Sequence, residues 1–317
     1  MIRAFLVLLL ATFFATPNTL DAQRYKDART YYREFQNENR RIQIKNMRYL
    51  EAVARSEDPR RINKYREMVV EQLTDSERAI EIVGPYGDDE VLHREYMDAL
   101  AMYIEAFSED FEKAEKLTEN RYASYADLQL YYEAANAAEI KMIDAAYKIE
   151  KAEDYFAKTY LVDLRRDQEL LAKAEKLDVV TLYTRDLTLA FFKVDAEIRA
   201  LYKAFEEDNT DTVQILITNL RKALRASQSD LKELELTDEE IPDMLQDELE
   251  SYLEDVDEAI DEELSPLADR LQNKFLDQND YQDAQRDFAD FKEWHQEMVE
   301  EYFITKNELI DEVLGEE

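Results

Sequence analysis

Two histidines and a large excess of carboxylates are the raw material for chemistry in this chain of 317 residues. Glu90-Val91-Leu92-His93 has the Glu-x-x-His spacing that supplies two ligands to a carboxylate-bridged di-iron centre when it faces a bundle interior. Such a centre needs a second Glu-x-x-His pair, but the other histidine, His295, has Lys292 three residues before it. Leu92 falls on the apolar stripe of its helix, so Glu90 and His93 are expected at the bundle edge, with His93 a surface histidine beside a helix N-terminus. Residues 277–283 begin like an EF-hand loop, but the sixth position lacks glycine and the twelfth is Phe288 instead of a bidentate glutamate. The acidic residues between Asp255 and Glu263 are spread by a helix around its outer face. No metal site or cofactor is expected from these patterns.

Covalent catalysis has little to work with. There is no cysteine, no glycine-rich phosphate loop, and nothing that marks a serine or threonine as partner to either histidine. Paired-carboxylate glycosidase chemistry is compatible with the residue types, though it calls for a concave pocket. Polar recognition is better supplied. Twenty tyrosines include the pairs Tyr31-Tyr32 and Tyr131-Tyr132, spaced so that one ring faces in and the next out. Tyr131 is expected on the outside, where it could stack on a sugar or anchor a protein partner. Charge is also segregated. Between Arg24 and Arg66 there are 13 basic and 6 acidic residues, a net of +7, whereas from Asp230 to Glu317 there are 6 and 32, a net of −26. Arg40, Arg41, Arg60, Arg61 and Lys64 are therefore the candidate interaction surface, together with Tyr131. Their partner would be acidic: the second half of the same or a neighbouring molecule in head-to-tail association, or an anionic envelope polysaccharide. A solvated face with no partner is the plain alternative.

What must position these residues is helical. Three glycines and five prolines are too few for the turns of a sheet protein of this length, and the good helix formers are plentiful, so the fold class is all-α. An apolar content of 45% is enough for a sizeable core. The net charge of −34 opposes approach to nucleic acid or anionic membranes. Met1-Ile2-Arg3, the apolar run from Ala4 to Ala15 and the small residue Ala22 have the layout of a secretory signal peptide cleaved near Ala22. That run is too short to span a bilayer, which takes roughly 20 apolar residues. Beyond it no stretch is apolar enough to span, so the chain is expected to be exported, to the periplasm, cell surface or medium.

Four amphipathic helices follow. The first carries Tyr31, Phe35, Ile42 and Tyr49 on one stripe, starting near Tyr25 and ending near Ala54. Asp58-Pro59 starts the second, with Ile62, Val69, Leu73 and Ile80 inward, and Gly84 ends it. The third carries Leu92, Tyr96, Leu100, Phe107 and Phe111, and the fourth, opened near Ser124, carries Leu128, Tyr132, Ala135, Met142 and Ala146. The order then returns. Shifted by 156 residues, Tyr31, Phe35, Ile42 and Tyr49 fall on Leu187, Phe191, Ile198 and Phe205; shifts of 151, 153 and 156 align the next three helices. This predicts two tandem up-down-up-down four-helix units, residues 23–162 and 163–317, after a signal peptide of residues 1–22. The glycine-free stretch from Tyr122 to Asp208 is expected to break between Tyr160 and Asp167, and Pro266 to kink or end the seventh helix.

The pattern from Tyr31 to Ile44, then Tyr86-Gly87-Asp88, then the third helix, resembles an uncharacterised family of exported helical surface proteins of leptospires and Bacteroidetes, here as a tandem duplication. The resemblance implies a helical bundle at the cell surface and brings no activity or catalytic residues. The expected function is binding or structural interaction at the envelope. The alternative is an enzyme or metal-handling protein with a carboxylate-lined site between helices, which would require polar groups converging inside a bundle.

Overall fold

The computed structural model describes residues 25, 27–55, 58–118, 120–164, 166–207, 209–234, 241–271 and 278–315. The segment read as a signal peptide, the turn around residues 237–240 and the start of the EF-like stretch lie outside these. Among the described residues the fold is entirely helical, with eight rods and no strand beyond an isolated Tyr86–Asp89 bridge.

Helix α1 (Ala28–Ala54) begins where Asp27 accepts a hydrogen bond from Thr30 N, three residues later than the periodicity suggests. Helix α2 (Pro59–Val83) has Asp58 as its cap and Pro59 as its first residue, because a proline there forfeits no helical hydrogen bond. It stops at Gly84, whose φ of 67° is open to glycine at little cost. Tyr31 Oη donates to Gly84 O at 2.8 Å and so ties the turn back to α1.

Helix α3 runs through Val91–Glu105, a π turn at Ala106–Asp110 and Phe111–Thr118. Helix α4 (Tyr125–Tyr160) is opened by Ser124, whose Oγ accepts from Asp127 N. It ends at Leu161 in the left-handed region (φ 53°), with Val162 N bonded back to Ala157 O. That turn usually takes glycine, and here a leucine occupies it. Asp167 then caps α5 (Gln168–Glu206), so the long glycine-free stretch does break where its sequence suggests.

A short 3-10 turn (Thr210–Thr212) leads into α6 (Val213–Glu233). Helix α7 comprises Met244–Ala259, a second π turn at Ile260–Leu264 and Ser265–Leu271; α8 is Gln278–Leu314. Pro266 does not end α7. The π turn just before it absorbs the misfit, and the helix continues for five residues beyond the proline. The corresponding turn in α3 has no proline, so proline is not what creates it.

In the first half α1 packs on α2, α2 on α3 and α3 on α4; in the second α5 packs on α6, α6 on α7, and α8 on both α5 and α7. Two apolar cores result. One gathers Tyr31, Phe35, Tyr96, Phe107 and Phe156; the other gathers Phe191, Tyr252, Phe291 and Tyr302, with the Phe191 and Tyr302 rings stacked at 4.1 Å. The second core also takes in Met47 and Ala54 of α1, Ala114 of α3 and Leu128, Tyr131 and Ala135 of α4, so the two halves share packing where they meet.

This sharing corrects one expectation. Tyr131 is buried (7% exposed), while Tyr132 is half-buried and Ala146 is exposed. Helix α4 packs against α3 on one side and α5 on another, so two of its faces are covered and the inside-outside assignment of neighbouring tyrosines fails. No described helix is long and apolar enough to cross a membrane.

Candidate functional site

Polar groups occupy the interior of both halves, and in the first they reach the surface. Glu153 lies on the buried stripe of α4 between Ile149 and Phe156 and is 5% exposed. Tyr96 of α3 donates to its Oε1 at 2.6 Å, and Tyr32 of α1 hydrogen-bonds to the same carboxylate. Burial raises the Glu153 carboxyl above the ordinary range, with the two phenols opposing that shift. Arg166, in the connector, donates to Glu150 at 3.1 Å and stands 4.0 Å from Glu153.

Glu153 forms part of the floor of a groove of about 550 Å³ between α1, α4 and the start of α5. Helices α1 and α4 touch where Tyr31 meets Phe156 (ring centroids 5.4 Å apart), and the groove runs from there towards Gln43 and Ile143. One wall is the amide-rich face of α1, with Gln36, Asn37, Asn39 and Gln43. The other carries Ile143 and Tyr147, both more than half exposed, with Lys151 Nζ 4.1 Å above the Tyr147 ring. Two guanidiniums, Arg40 and Arg166, face four carboxyls, Glu150, Glu153, Asp167 and Glu175. Arg40 is itself paired with Asp167 at 3.3 Å. Amides, phenols and an exposed ring suit a hydroxyl-rich ligand, whereas the excess of carboxyls disfavours a strongly anionic one.

The second polar centre is sealed. His295 of α8 (1% exposed) lies between Tyr202 of α5, whose Oη is 2.6 Å from Nδ1, and Tyr252 of α7, whose Oη is 3.0 Å from Nε2. A neutral imidazole has one N–H and one lone pair, and two hydroxyls satisfy both. Burial, with Arg199 nearby, pushes the imidazole down to about 3. Asp195, wholly buried, is 3.6 Å from Nε2, and Arg199 Nε approaches its Oδ2 to 2.7 Å. Neither Asp195 oxygen has a well-aligned donor, and burial raises this carboxyl.

The residues singled out from sequence do not converge. Arg40, Arg41, Arg60, Arg61 and Lys64 are all exposed. Ser76 Oγ donates to Glu38 Oε2 at 2.8 Å, which sets α1 around residue 40 beside the far half of α2. Arg60, Arg61 and Lys64 therefore stand roughly 20 Å away along the hairpin, at 1.5 Å per residue. Arg41 pairs with Glu38, and Arg61 lies over the Tyr65 ring at 5.7 Å. Arg29 and Arg40 of α1, and Arg55 just past its end, pair with acidic groups beyond residue 160 of the same chain, as in Arg55–Asp311 at 2.7 Å. His93 is half-buried instead of superficial, and burial lowers its basicity. Among the described residues no cluster of three or more His, Asp or Glu side chains could hold a metal ion.

Comparison with protein-family models, with curated proteins and with solved structures finds no match to this chain.

Proposed function

We propose that the protein is exported, that its two halves are tandem four-helix units, and that it acts as a binding protein of the envelope or cell surface. The groove between α1 and α4 takes a neutral, hydroxyl-rich ligand such as a short saccharide chain. Its wall of amides opposite the exposed Tyr147 ring carries this reading. Amides pair with hydroxyls in either direction, and an aromatic face packs on the apolar face of a sugar. The basic residues of α1 and α2 stand apart along the hairpin and form no compact pocket of their own.

A glycan and envelope-component array tests this, using the protein beside N39A, Y147A and an Arg41/Arg60/Arg61 charge reversal. Binding that falls at least about tenfold in the groove variants, the weight of one good polar or stacking contact, and persists in the charge reversal is the expected result. Loss in the charge reversal alone would instead identify the basic hairpin face and an acidic partner. Sequencing the N-terminus of the exported protein tests the leader, with Gln23 expected first.

One observation favours a second reading, an enzyme acting on the same ligand. Glu153 borders the groove, burial raises its carboxyl above the ordinary range, and Glu150 is one turn away. Release of shortened glycan by the wild type and not by E153Q would establish it.

A further inference from the structure

Where the halves meet, three cationic side chains are buried together. Arg121, in the connector between α3 and α4, is 6% exposed, and Lys306 of α8 is 5% exposed. Arg185 of α5 has 12% of its side chain exposed. All three line one cavity of about 30 Å³, walled by Tyr131, Tyr132 and Thr181.

Glu139 accepts two hydrogen bonds from Arg185, at 2.8 and 3.3 Å, and these leave the Arg185 Nε without a partner. Arg121 faces tyrosine rings, 4.8 Å from the Tyr122 centroid and 5.2 Å from Tyr131, and its Nε is also buried without a partner. Among the described residues no carboxylate lies within ion-pair distance of Arg121. Like charges at this burial repel strongly, and each unpaired donor carries a desolvation cost. Burial and the two guanidiniums push the Lys306 ammonium down to about 7.

We propose that this cavity is a binding site for a compact inorganic anion, chloride or phosphate, held between Arg121, Arg185 and Lys306. The size of the space sets the class: it holds roughly two waters, which excludes a nucleotide or a saccharide. The anion supplies acceptors to the orphaned guanidinium nitrogens and offsets the mutual repulsion. Its ligands come from the α3–α4 connector, α5 and α8, so it joins the two halves. The site is separate from the groove and does not depend on its ligand.

The test follows the melting temperature of the full chain as chloride or inorganic phosphate replaces a bulky sulfonate at constant ionic strength. A saturating rise with either anion is expected, phosphate alone marking an oxyanion site and chloride alone a halide site. In K306M the half-saturating concentration should rise at least about tenfold, the effect of losing one charge-assisted hydrogen bond. This holds even where removing a buried charge raises the melting temperature itself. R121Q gives the same readout should K306M fail to fold, and circular dichroism confirms folding of each. No saturating response to either anion, or an unchanged response in the folded variants, would overturn the proposal.

Discussion

The first half of the molecule, residues 28–160, and the second, residues 168–314, pass through the same succession of helices, and each third helix opens into a π turn. A serine hydroxyl donates to the backbone in both, Ser108 to Ile104 O at 2.6 Å in the first, and they differ in what a neighbouring arginine does. In α3, Arg66 reaches across from α2: its Nη1 donates to Phe107 O at 2.8 Å while Nε holds Glu115 and Nη2 holds Asn63. In α7 the local Ser265 Oγ donates to Ile260 O at 2.6 Å, and Arg221 of α6 donates to that serine from a partly exposed position. The polar centres differ in the same sense. Glu153 lies under an open groove, whereas His295 and Asp195 are enclosed by three helices. One geometry can therefore be braced by a buried arginine from a neighbouring helix or by local hydroxyls.

The largest expected effect tests the π turns. R66A should cost about 3–5 kcal/mol, because Glu115 and a π-turn carbonyl lose their buried partner. R221A should stay within about 0.5 kcal/mol, since Ser265 still covers Ile260 O. Urea denaturation of both variants decides this, and equal losses would break the contrast. Next comes E153A, which strips the acceptor from Tyr96 and Tyr32 and should cost about 3 kcal/mol; E153Q keeps a carbonyl acceptor and should cost about 1 kcal/mol.

The third prediction concerns pH. His295 is depressed in the folded state, so its stabilising contribution is complete above about 6.5, the ordinary histidine value, and is lost as pH falls towards 3. Asp195 runs the other way: its carboxyl is raised, so its burial costs most at neutral pH and is relieved by acid. Urea midpoints at pH 7 and 4.5 should fall more for the wild type than for H295Q. An identical pH dependence would sink this reading of the sealed centre. Smallest is D195N, expected to be neutral or stabilising by up to about 1 kcal/mol, since the carboxylate it replaces lacks an aligned donor.

Helix order, the caps at Asp58, Ser124 and Asp167, and most of the core were legible in the sequence, because apolar spacing and capping chemistry act locally. The polar centres were missed, although a signal was present. Arg66, Glu153, Asp195, His295 and Lys306 each stand at helical spacing within a buried apolar stripe, as Asp195 does between Phe191 and Ile198. A charge in that position reports a buried partner, but which helix supplies it is a long-range fact that no local pattern contains. Tyr131 went wrong for the same reason: a helix at a seam has two inward faces, and a single stripe describes one. The π turns left no trace in composition, since α3 carries Ala-Phe-Ser-Glu-Asp and α7 Ile-Asp-Glu-Glu-Leu.

Those turns also bear on history. A π turn is one residue inserted into a helix without breaking it. Here the two insertions begin at Ala106 and Ile260, a separation of 154 residues that agrees to within a few residues with the offsets relating the flanking helices. If the halves descend from one ancestral unit, the extra residue entered before that unit was doubled. Arg66 and Arg221, each on the second helix of its half, then brace that shared turn in different ways.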